Sequence, residues 1–136
     1  MGRVFFNTRK NIHALDGAYT MLASDSGKTF LLSATGGTVA ITMLPAADLV
    51  EGWNCKFIVK EDTPTGVITV AAGSAIIDLV MKDSGGNASN STAGTAVSNL
   101  IVGATSTQGD YINIFTDGTT WYAECLSGVD DAVTTS

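Results

Sequence analysis

The chain has 136 residues, a length that fits one domain with a core of its own. Thirteen acidic residues against seven basic ones give a formal charge of −6, and charged residues are 15% of the chain, below the roughly 25% of an ordinary soluble domain. These figures argue against nucleic acid as a partner, because phosphate neutralisation needs clustered cations, and no apolar run reaches the roughly 18–20 residues of a helical membrane span.

With 15 Gly, 18 Thr, 11 Ser and only 2 Pro, and few long polar side chains of the kind that cover helix faces, the chain favours strands and turns. Residues 1–17 read as an extended N-terminal arm. Its first ten residues carry Arg3, Arg9 and Lys10 and no acid, a local charge of +3, with Val4, Phe5 and Phe6 as apolar anchors. A basic arm on an acidic body points to a chain end that reaches for another subunit or an acidic neighbour. The start lacks the long apolar segment of a secretory signal, so synthesis in the cytoplasm is expected, with Cys55 and Cys125 as reduced thiols.

From residue 18 to 126 the chain reads as one β-domain. Strand-like runs are expected at 18–22, 29–34, 38–44, 55–60, 67–72, 75–81, 98–102, 111–116 and 119–126, separated by Gly, Ser and Asp turn signals. In 55–60, Cys55, Phe57 and Val59 alternate with Lys56 and Lys60. Asp117-Gly118 between two such runs predicts a hairpin with a tight turn. The one helical signal is 45–51, opened by Pro45 and closed by Gly52. Residues 82–94 are polar and of low complexity and read as a long exposed loop. Residues 127–136 form a polar C-terminal tail with Asp130 and Asp131. The expected fold class is all-β, a compact antiparallel β-sandwich or small β-barrel of about 8–9 short strands.

Chemical motifs are weak. Ser26-Gly27-Lys28-Thr29 ends like a phosphate-binding loop, but Leu22 stands where the first glycine belongs and a strand-like run follows, so a turn is the better reading. Residues 116–121 nearly spell the Asp-box S-x-D-x-G-x-T-W, itself a hairpin device. His13 is the single histidine and has no cysteine or acid pair at ligand spacing. Asp78, Asp83, Asn87 and Asn90 do not follow calcium-loop spacing. No nucleophile–base pair emerges, so no catalytic residue, cofactor or metal ligand is assigned and an enzyme is not expected. Trp53, Tyr111, Trp121 and Tyr122 are candidates for a subunit interface or a sugar platform.

The order Ala-Ser-Asp-Ser-Gly-Lys-Thr-Phe-Leu-Leu (23–32), Leu-Pro (44–45), Gly-Trp-Asn-Cys-Lys-Phe-Ile-Val (52–59), Gly-Val-Ile-Thr-Val (66–70), Gly-Asp-Tyr-Ile-Asn-Ile (109–114) and Asp-Gly-Thr-Thr-Trp-Tyr (117–122) resembles tailed-phage virion decoration (cement) proteins, with similarity to β-modules of phage head and tail fibre proteins. The resemblance implies a structural protein on the capsid exterior that forms a homo-oligomer, a trimer, and binds the major capsid protein. On that expectation Arg3, Val4, Phe5, Phe6, Arg9 and Lys10 form the capsid-binding arm. The alternatives are a head or tail fibre module and a carbohydrate-binding module contacting the host surface.

Overall fold

The computed structural model describes residues 11–62, 64–83, 97–129 and 132–136, with backbone alone for 73–83. Its strands are β1 (Ile12–Leu15), β2 (Tyr19–Thr20), β3 (Lys28–Leu32), β4 (Val39–Thr42), β5 (Asn54–Val59), β6 (Ile68–Asp83), β7 (Val97–Val102), β8 (Tyr111–Thr116), β9 (Trp121–Ser127) and β10 (Val133–Thr135). Helix among the described residues is limited to two 3-10 turns, Ala23–Asp25 and Ala46–Asp48. The helical signal at 45–51 therefore yields one short turn after Pro45. Leu49 already returns to extended backbone at φ −117°, ψ 154°, as a segment too short to offset helix nucleation does.

The strands form two mixed sheets with no closed barrel. Sheet one runs β1-β3-β5-β8-β9 and takes in the second half of β6; sheet two runs β2-β4, the first half of β6, β7 and β10. Strand β6 belongs to both. Its residues up to Ala71 pair with β4 and β7, and from Ile76 it pairs with β9. The register shift between Ala71 and Ile76 falls in a run of small residues, where a strand bends from one sheet to the other at low cost.

Of the two all-β architectures the sequence predicts, sandwich or small barrel, the structure is the sandwich, with two corrections. Ten strands are described rather than eight or nine, and the expected runs 67–72 and 75–81 are one sixteen-residue strand. The pairing is also not purely antiparallel. The β1-β3, β3-β5, β2-β4, β4-β6 and β6-β9 pairs are parallel. From β1 to β6 the chain alternates between the sheets, laying each new strand parallel beside the one two before it. Side chains alternate with period two in either orientation, so the hydrophobic pattern does not report which one forms. The segment boundaries shift as well. β1 lies inside the expected arm of residues 1–17, and β10 inside the expected tail of 127–136, where Ala132 and Val133 are buried. Both strands are short and partly polar, and backbone pairing to β3 and β7 holds them.

Between the sheets lies one core, with Phe30, Leu32, Phe57, Val59, Ile112 and Ile114 on one side and Val39, Ile41, Ile68, Val70, Leu100 and Val102 on the other. The β8–β9 hairpin forms where Asp117-Gly118 predicts it, but as a four-residue loop, since Thr116 pairs with Trp121. Gly118 takes φ +90° and Asp117 accepts the N–H groups of Thr119 and Thr120.

Cys55 and Cys125 are free and buried in the same core. Burial pushes both thiols up, Cys125 to about 12, with Asp25 adding to the effect on Cys55 and Glu124 to that on Cys125. Raised folded-state values leave stability unaffected below the ordinary thiol range near 9 and remove it as pH climbs through that range toward 12. Two results are expected: neither thiol reacts with an aromatic disulfide reagent at pH 8 until denaturant is added, and the denaturant midpoint falls between pH 9 and 11 less steeply in Cys125→Ala than in the parent.

Candidate interaction surface

The capsid-binding arm residues Arg3, Val4, Phe5, Phe6, Arg9 and Lys10 lie outside the described residues, as do Asn87 and Asn90. Trp53 and Trp121 correct the sugar-platform expectation, because they are 1% and 0% exposed and present no face to a ligand. Their rings meet edge to face at 5.4 Å, and each indole N–H donates to a backbone carbonyl, Trp53 to Ala23 and Trp121 to Leu44. Both tryptophans border turns, where the sequence leaves core, subunit interface and sugar platform open. They are buried in the core between the sheets, against each other, with the Ala23 and Leu44 carbonyls capping their indole N–H groups.

Three aspartates organise turns. Asp25 is buried and accepts from the Tyr19 hydroxyl, the Leu22 N–H and, at 2.7 Å, the Lys28 ammonium. Burial disfavours its charge, but the Lys28, Leu22 and Tyr19 donors outweigh that and hold the carboxyl below its ordinary value. The Ser26–Thr29 motif is thus a turn into β3, with Gly27 at φ +78°. Asp110, also buried, accepts from the Thr107 N–H and hydroxyl, the Gly128 N–H and the Ser127 hydroxyl, and borders an open cleft of about 370 Å³. Its lone pairs are committed to the two loops it joins. Asp117 is exposed, and the Thr119 hydroxyl, the Thr119 and Thr120 N–H groups and the Tyr122 hydroxyl keep it well below the usual carboxylate range. The Asp-box-like run is therefore a hairpin clasp.

The Asp25 contacts carry a pH-dependent prediction. A depressed carboxyl contributes stability above the unfolded value near 4 and loses it as pH falls through the folded value. Asp25→Asn is expected to cost roughly 2 kcal/mol at pH 7 and to flatten the decline in denaturant midpoint below pH 4.

His13 packs its ring against Phe30 at 5.6 Å, and the described residues contain no group of three or more His, Cys, Asp or Glu able to hold a metal ion. What the described chain does assemble is a surface. On the solvent side of sheet one, register aligns Ala14, Leu31, Ile58, Tyr111 and Leu126 in one row across five strands. Leu126 is 41% exposed and Leu31, Ile58 and Tyr111 are half-buried. A second row holds Lys56, Asn113 and Glu124, and a third Asn54, Phe115 and Tyr122. Phe115 is 47% exposed and stacks on Tyr122 at 5.2 Å, while the Lys56 ammonium sits 4.1 Å from the Tyr111 ring centre. The solvent side of sheet two differs, its rows reading Ala40, Thr69, Ile101, Thr134 and Thr20, Thr42, Ala71, Asn99.

Tyr111 and Tyr122 thus belong to a real surface, whereas Leu31, Ile58, Phe115 and Leu126 escape a search for chemical motifs. A signal exists for Leu31 and Ile58. Phe30-Leu31-Leu32 and Phe57-Ile58-Val59 are unbroken apolar runs, the pattern of strands with both faces covered. No family model, curated protein or solved structure matches the chain.

Proposed function

We propose that this protein is a structural virion component that decorates a bacteriophage capsid from the outside, acting by adhesion between protein surfaces as a homo-oligomer. The observation that carries the reading is the apolar solvent face of sheet one, which a chain acting alone has no reason to keep. Strand β1, at the open edge of that sheet, follows directly on the basic, phenylalanine-bearing segment of residues 1–10. An edge strand and an adjoining arm suit docking onto the major capsid protein by strand addition. The resemblance of residues 23–32, 52–59 and 109–122 to phage decoration proteins supports the same conclusion. Burial of Trp53 and Trp121 weighs against the carbohydrate-binding alternative.

The test is sedimentation of the purified chain with capsids of the virus that encodes it, prepared without this protein. Saturable binding at a fixed ratio to capsid subunits is expected, and removal of residues 1–10 is expected to lower it at least tenfold while leaving the tryptophan emission of the folded body unchanged. Absence of saturable binding by the full chain overturns the capsid reading.

A further inference from the structure

We infer that the solvent face of sheet one pairs with the same face of a second copy about a two-fold axis running along β8. The inference rests on the adhesive reading of this face, and is independent of whether the capsid is the other partner. The argument lies in the order of residues across β5, β8 and β9. A two-fold axis lying in the interface along the central strand exchanges the flanking ones, so each copy's β5 lies over the other's β9. An isologous contact needs every residue to meet a complement under that exchange.

Across the three central strands, β5, β8 and β9, each row meets the requirement. In the charged row Lys56 on β5 and Glu124 on β9 flank Asn113 on β8, so the exchange sets Lys56 of each copy against Glu124 of the other, making the ion pair twice. In the apolar row it sets Ile58 against Leu126 and brings the two copies of Tyr111 together. In the third row Phe115 meets its own counterpart on the axis, with Asn54 facing Tyr122. Because the axis parallels the strands, the rows keep their order along it, and apolar rows do not slide onto charged ones. The unbroken apolar run of β5 fits a strand covered on both sides, the sandwich core on one and a second copy on the other. The solvent face of sheet two, rich in threonine and alanine, has no such exchange symmetry of charge. A threefold assembly joins unlike surfaces and gives no reason for cation and anion to sit symmetrically about one strand.

The experiment measures the mass of the full chain by sedimentation equilibrium across a concentration series, for the parent and for Lys56→Glu, Glu124→Lys and the double variant. The parent is expected to be a dimer. Each single reversal sets like charges together at two symmetry-related places and is expected to weaken association at least ~10-fold, whereas the double variant restores it to within about threefold. Leu126→Arg, at an exposed position, is expected to yield a folded monomer with unchanged tryptophan emission. A parent that stays monomeric, a trimeric mass, or a double variant as weak as either single one overturns the proposal. Sedimentation of the same variants with capsids separates the two readings: a chain that is monomeric yet binds capsids removes the two-fold pair and leaves the decoration reading standing, and a dimer that ignores capsids does the reverse.

Discussion

Gly66→Ala is expected to be among the most damaging single substitutions in the chain, for steric reasons alone. A Cβ at position 66 would stand 2.0 Å from the carbonyl oxygen of Gly37, 2.4 Å from its carbonyl carbon and 3.0 Å from the oxygen of Ala34. All three are backbone atoms, so no rotamer change relieves the clash. The place is also where two connections lock together. The Gly66 N–H donates to the Ala34 carbonyl at 2.9 Å, and the Thr65 hydroxyl reaches the carbonyls of Ala34 and Thr35. The Ser33 hydroxyl donates to Glu61 across the same gap. Moving the segments apart would strain these bonds and displace the start of β6 from β4, whose pairing begins at Ile68 and Val39. Overpacking a tight site costs about 1–3 kcal/mol even where side chains yield; against backbone about 3–5 kcal/mol is expected, at the upper end for point substitutions. For a domain of this size that is roughly a 10 °C or larger fall in Tm. Gly36→Ala is the matched control, because a Cβ there meets nothing within 4 Å, and its midpoint should stay within about 0.5 kcal/mol of the parent. Equal midpoints for the two variants in urea titration would refute the packing described here.

Trp121→Ala should cost a similar amount by the opposite mechanism. Trp121 is fully buried at the start of β9, edge to face with Trp53, and its indole N–H donates to Leu44 at 3.3 Å across the sandwich. Truncation opens a cavity and leaves the Leu44 carbonyl without that donor. Large aromatic-to-alanine changes in cores cost about 3–5 kcal/mol, a large part of the roughly 5–15 kcal/mol that holds a domain together. Trp53→Ala removes the other ring and the bond to Ala23, so the loss is comparable. Because the rings touch, the double variant should lose less than the sum of the singles, by about 1 kcal/mol. Urea midpoints for the parent, both singles and the double complete that cycle. Strict additivity would deny the ring contact, and a midpoint for Trp121→Ala near that of the parent would deny the burial.

Both predictions concern residues whose importance the sequence states poorly. Gly66 sits between Thr65 and Val67 like any turn glycine, and its lack of a side chain matters only because residues 33–38 fold back onto it. Trp53 and Trp121 flank turns, and composition alone leaves open whether such rings face solvent or core. The candidate surface was legible in half. Tyr111 and Tyr122 stand out as aromatics, but Leu31, Ile58 and Leu126 become one row only once β3, β5, β8 and β9 are set in register. Register is a relation between strands distant in sequence, and no local pattern carries it.

The opening charge balance shows the same division. Position in the chain assigns the basic excess to residues 1–10 and the acidic excess to the body, and that much follows from the sequence. Burial decides what the acids do. Asp25 and Asp110 are spent on turn N–H groups inside the fold, and Asp117 clasps a hairpin. Glu124 stands exposed across β8 from Lys56.

By itself the sequence determined that the chain folds into strands, where most of them lie, and that their alternating faces build either a sandwich or a small barrel. Period-two alternation and glycine turns are local properties, and β-branched and aromatic residues report them directly. Tertiary structure alone decided that the first six strands wind between two sheets in parallel, that β6 crosses from one sheet to the other, and that apolar side chains line up in a row on one solvent face. Those features depend on which strand lies beside which. The paths of the connections and the closing of the core settle that, through contacts between residues far apart in the chain.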